Sequence, residues 1–193
     1  MTTPTLRLAQ DPDADALLAR DPLALLVGML LDQQFPLERA FASPYLLARR
    51  LSRQTLDAAE IAAYDPDLFA KVMAGPPALH RYPAAMAGRV QAVCRHVADE
   101  HGGDAAALWR TAATGRELLG RLRELPGFGE QKARIFVALL GKQLGVRPPG
   151  WREAAGPYGE EGSRRSAADV TDAESLAQVR AAKQAAKQAA RRG

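Results

Sequence analysis

Residues 118–144, LLGRLRELPGFGEQKARIFVALLGKQL, decide how the rest of the chain is read. Apolar residues recur at 118, 122 and 125 and again at 133, 136, 137, 140 and 144, the spacing of one helical face, so two helices flank Leu125-Pro-Gly-Phe-Gly129. Pro126 has no N–H with which to continue the first helix, and Gly127 and Gly129 can take positive φ and let another backbone come close. A tight hairpin follows. The second helix opens at Glu130, and its first N–H groups lack intrahelical partners and point back over the turn, where an anion gains hydrogen bonds and a favourable helix dipole. One backbone phosphate of a nucleic acid fits such a place, with Lys132 and Arg134 adding attraction and Phe128 packing the turn.

Charge agrees with a polyanionic partner. The net charge is +4, but residues 180–193 alone contribute +5, leaving residues 1–179 at −1. Within 121–147, six cations oppose only Glu124 and Glu130, a local +4 around the hairpin. Clustered cations bind a polyanion by releasing its counterions.

LPGFGEQKA, residues 125–133, resembles the helix-hairpin-helix element L-P-G-φ-G-x-x-x-A of the base-excision DNA glycosylases, a superfamily that includes endonuclease III and the adenine and alkylpurine glycosylases. The resemblance implies an all-α, two-lobed fold gripping duplex DNA in its cleft, one lobe about 21–119 and the other about 1–20 with 120–180, followed by a basic tail at 181–193. It also implies that the amides of Gly127, Gly129 and Gln131 hold phosphate, with Lys132 alongside. The region of His80 and Tyr82, in the loop GPPALHRYP at 75–83, corresponds to the surroundings of the damaged-base pocket. There Tyr82 would stack on a base and His80 hydrogen-bond it.

A second stretch carries the same resemblance. Asp21-Pro22 starts a helix, since aspartate caps and proline suits the first turn, and Leu23–Leu31 is apolar all round, as a fully buried helix is. It ends in Leu31-Asp32-Gln33-Gln34, similar to the L-S-Q-Q or L-S-A-Q of these glycosylases. The implied roles are gap filling by Gln34 where a nucleotide flips out, and support by Gln33. Asp32 replaces a small residue there and brings a negative charge towards the expected phosphates.

The family's catalytic aspartate falls about 20 residues after the last hairpin glycine, and that position is Pro149 here. A carboxylate is needed to stabilise the cationic sugar or activate water. Glu153, on the first turn of a helix starting near Trp151, is the first candidate, Asp32 the second and Asp169 the third. The position of the strand-cleaving lysine holds Gln131, and Lys132 lies about 100° further round the helix, so monofunctional hydrolysis without metal or other cofactor is expected.

Elsewhere the pattern is helical, with no sustained period-two alternation, and eight to ten helices are expected. Pro36 and Pro44 divide 37–51 into a helix pair, Leu6–Ala9 could form a small strand, and Met86, Val90, Val93 and Val97 form a stripe with Gln91 away from it. Thr171 with Glu174 makes a capping box before an Ala/Lys/Gln tail that extends into solvent. One cysteine, Cys94, excludes an intramolecular disulfide and a four-thiolate iron–sulfur cluster, and packs as a small apolar residue. No zinc-ligand spacing, membrane span or leader pattern is present, so a cytoplasmic monomer is expected. The functional expectation is a base-excision repair glycosylase. The alternatives are a DNA-binding protein that keeps the clamp without the chemistry, and a helical protein-interaction module.

Overall fold

Asp21 organises the start of the core. Its Oδ1 accepts from the amides of Leu23 and Ala24 and its Oδ2 from that of Leu56, so one buried carboxylate starts the central helix and ties a distant loop to it. The structure, a computed structural model, describes residues 3–193; Met1 and Thr2, part of the expected polar start, lie outside the described residues. In order the helices are α1 Pro12–Arg20, α2 Pro22–Leu31, α3 Leu37–Arg50, α4 Ala58–Ala63, α5 Pro66–Ala74 and α6 Pro83–His101. There follow α7 Ala107–Arg110, α8 Gly115–Arg123, α9 Glu130–Gln143, α10 Trp151–Ala155 and α11 Ala173–Arg192, with short 3-10 turns at Gly156–Gly159 and Ala167–Asp169. Among the described residues there is no strand: the chain is all-α, and 6–9 is irregular, bending from Leu8 onward, with Leu6 and Leu8 buried. No described helix is long and apolar enough to cross a membrane.

Every residue from Leu23 to Leu31 is buried, as an apolar helix without a polar face requires. α3 crosses it so closely that a Cβ on Gly28 would lie 2.7 Å from the Phe41 ring. α1 packs against α2 and α3, α6 against α4 and α5, and α8, α10 and the two 3-10 turns against α9; α2 also meets α9. The contact between α2 and α9 brings the two informative stretches of sequence together.

Three local readings are corrected. Residues 37–50 form one helix with Pro44 inside it, and Ser43 Oγ lies 2.8 Å from Arg39 O within the helix and 2.7 Å from Leu79 O in the 75–83 loop. Gln91, placed away from the apolar stripe by periodicity, is buried because its amide donates to the carbonyls of Ile61 and Tyr64 at the end of α4. The cap of α11 is Asp172, boxed by Ser175, rather than Thr171 with Glu174. Among the described residues the helices number eleven, against the eight to ten expected, because α7 and α10, of four and five residues, are too short to show a period.

Cys94 is fully buried, and burial pushes its thiol up to about 12. A thiolate-selective disulfide reagent at pH 8 is therefore expected to leave native Cys94 unmodified and to titrate one thiol after denaturation; reaction of the native chain would contradict this packing.

Candidate nucleic-acid interface

α2 stops at Leu31, and the chain turns away through Asp32 (φ −75°, ψ 67°) and through Gln34 in the left-handed region at φ 51°. Gln34 is thereby exposed at the tip of the turn. Gln33 is half-buried: its Nε2 lies 3.6 Å from Met86 Sδ and its Oε1 accepts from Lys132 Nζ at 3.2 Å.

The hairpin leaves α8 at Arg123 and enters α9 at Glu130. Gly127 sits at φ 81°, and a Cβ there would come within 2.9 Å of Leu30 Cδ1, so the turn rests directly on the last turn of α2. Gly129 differs from the sequence expectation. Its φ is −73°, and a Cβ would meet nothing within 4 Å, so it is there neither for handedness nor for protein packing. Phe128 is buried edge-on against Phe136, with ring centroids 6.2 Å apart, holding the turn to α9.

The backbone donors at this corner are open. No side chain caps α9, and among the described residues the amides of Gly127 and Gly129 meet no acceptor. Gln131 is exposed and its amide donates to Tyr158 Oη at 3.0 Å, which draws the side chain aside from the helix mouth.

Lys132 does not stand free beside the hairpin as its sequence position suggested. Its Nζ donates to the carbonyls of Met29 (3.0 Å) and Leu30 (2.6 Å) as well as to Gln33 Oε1, making it the cationic cap on the C-terminal end of α2. Burial lowers its pKa to about 8, with the nearby Asp32 charge opposing the shift. It therefore couples the Gln33–Gln34 turn to the hairpin rather than presenting a surface charge. Arg134 pairs with Glu130 at 2.7 Å, and Glu130 also pairs with Arg123 at 2.8 Å, so the charges flanking the hairpin are linked into one exposed network.

Asp32, Gln33, Gly127, Gly129, Gln131 and Lys132 line a common cavity of about 420 Å³. Lys183 of α11 also lines it; its Nζ lies 3.2 Å from Asp32 Oδ2, and the Asp32 side chain is only 4% exposed. Glu153 is elsewhere. It does lie on the first turn of α10, as expected, but faces a separate cavity of about 600 Å³ with Thr114, Arg116 and Arg134. Asp169 is buried, paired with Lys142 at 2.6 Å and engaged in capping its own 3-10 turn. Of the three candidate carboxylates, Asp32 alone lines the hairpin cavity.

His80 and Tyr82 also part company. The buried His80 ring lies 2.9 Å from Gln33 O through Nε2 and accepts from the Tyr82 amide through Nδ1, so both nitrogens are used within the chain; burial lowers its pKa, consistent with a neutral ring. It braces the Gln33–Gln34 turn instead of reaching for a base. Tyr82 is 47% exposed, with the Arg81 guanidinium over its ring at 5.5 Å. Among the described residues no three His, Cys, Asp or Glu side chains are placed to hold a metal ion.

The sequence reading missed Lys183 and Arg180, which pairs with Glu38. Their only signal was a spacing of three on one face of the last helix.

No family model matches the chain, and comparison with curated proteins and with solved structures likewise gives no match.

Proposed function

We propose that this chain is a base-excision repair protein of the helix-hairpin-helix type that binds duplex DNA in a two-lobed cleft and hydrolyses the N-glycosidic bond of a damaged or mismatched base. The observation that carries the reading is the pairing of open hairpin amides with an exposed, left-handed Gln34 across the junction of α2 and α9. One phosphate sits at the mouth of α9, held by amides that nothing else occupies. Gln34 fills the space of the extruded nucleotide, and Tyr82 stacks beside it. Asp32, the carboxylate lining this cavity, stabilises positive charge on the sugar. Gln131, at the strand-cleaving position, has no nucleophilic nitrogen, and Lys132 is engaged beneath α2, so the product is an abasic site with an intact strand.

A second reading keeps the DNA clamp without the chemistry. It is favoured by the ion pair between Asp32 and Lys183, which occupies the carboxylate that hydrolysis needs.

Both are tested by incubating the wild type, Asp32→Asn and Glu153→Gln with duplexes each carrying one modified or mismatched base. Base release and salt-dependent binding are measured together. The expected result is release lost in Asp32→Asn and retained in Glu153→Gln, with strand breaks only after alkali. Binding without release from any duplex selects the second reading. Absence of salt-dependent duplex binding overturns both.

A further inference from the structure

The last helix carries Arg180, Lys183, Lys187 and Arg191 at spacings of three, four and four, which puts all four cations on one face. A helix whose charges served only solubility would not need that register. The first two cations are used on the protein itself: Arg180 pairs with Glu38 and Lys183 with Asp32. Both acids stand at the corner where α2 passes into α3, next to the hairpin cavity, and the second oxygen of Glu38 is buried without a partner. Left alone, these two carboxylates would repel a phosphate backbone approaching Gly129. Lys183 also belongs to an adjoining groove of about 620 Å³, whose other wall is Gln131, Ile135 and Tyr158. α11 therefore runs beside the mouth of α9. Its next two cations, Lys187 and Arg191, are exposed and make no ion pair among the described residues.

We propose that α11 is a second phosphate-contacting wall of the DNA-binding face, in which Arg180 and Lys183 cancel an acidic corner and Lys187 and Arg191 grip the backbone. The inference rests on the duplex-binding reading above and adds to it a partner for the C-terminal helix. Successive cations four residues apart advance about 6 Å along the helix. A strand lying alongside offers a phosphate every 3.4 Å or so of duplex axis, so each cation meets roughly every second phosphate.

The test is the salt dependence of binding to an unmodified duplex, measured by fluorescence anisotropy for the wild type, Lys187→Gln/Arg191→Gln, Lys183→Gln and Lys183→Gln/Asp32→Asn. Loss of two phosphate contacts flattens the slope of log Kd against log salt by about 1.8 in the first variant. Lys183→Gln weakens binding by uncovering Asp32, and the added Asp32→Asn restores it. A wild type that binds duplex with a slope unchanged in Lys187→Gln/Arg191→Gln overturns the proposal for α11 while leaving the hairpin reading intact. So does Lys183→Gln binding as tightly as the wild type. A wild type that binds no duplex at any salt concentration overturns both.

Discussion

Replacing Gly129 with aspartate is expected to stabilise the fold slightly and to weaken the proposed duplex binding at once. Position 129 is the N-cap of α9, in an extended conformation with open space where a side chain would go and no existing side-chain cap. An aspartate there can accept from the first-turn amides, and relative to a glycine cap it contributes a few tenths of a kcal/mol. For a chain of this size that raises Tm by roughly 1 °C. The same carboxylate occupies the donors that the proposed phosphate needs and adds a negative charge at the helix mouth. A charge-assisted hydrogen bond contributes about 1.5–3 kcal/mol, so affinity should fall roughly 10- to 150-fold. Gly129→Asn separates the two causes: it caps without the charge, so it should match the stability gain while losing less affinity. Differential scanning calorimetry and duplex titration read the two effects independently. A stabilised Gly129→Asp that still binds DNA like the wild type removes phosphate from this corner.

Much of this corner could be read from local pattern because each feature is enforced within a few residues. Leu23–Leu31 has no polar face, so burial was dictated, and Pro126 with Gly127 ends one helix and turns the chain. The amide donors followed from helix geometry alone. The side chains around them did not, because their partners lie far away in sequence. Lys132 bonds carbonyls 102 and 103 residues upstream, and Lys183 meets Asp32 across 151 residues. No period or spacing announces such pairs. The acid at position 32, unwelcome beside phosphate when read alone, is explained by a cation that only the folded chain supplies. Pro44 shows the opposite failure. A local rule predicted a break, yet one helix runs from Leu37 to Arg50 through Pro44. Glu153 was placed on the correct helix turn, but position on a helix does not tell which of two cavities a side chain faces.

Lys132→Met should show how strongly α2 depends on its cationic cap, through a pH profile rather than a single value. The variant leaves Leu30 O and Gln33 Oε1 without their donor, while Met29 O keeps the amide of Asp32 at 3.2 Å. A buried acceptor left unmade costs about 1–3 kcal/mol. Against this, the variant removes an ammonium whose burial is unfavourable, so the deficit at pH 7 is modest. Its growth with pH is not. The folded chain holds Lys132 at about 8 against 10.5 in the unfolded chain. Below the lower value both states are protonated, and the fold bears the whole cost of the buried charge. Between the two, the unfolded chain binds a proton that the folded chain has released, so stability rises with pH. The wild type should gain up to about 1.4 kcal/mol per pH unit in that window, and the variant should lack the gain. Unfolding free energies from urea titrations at pH 7, 8, 9 and 10 would then diverge, to a total of about 2.5 kcal/mol. Parallel profiles would mean that the Lys132 amine titrates in water rather than beneath α2. The coupling of Gln33 and Gln34 to the hairpin through that side chain would then be lost as an explanation for how the two halves of the site stay in register.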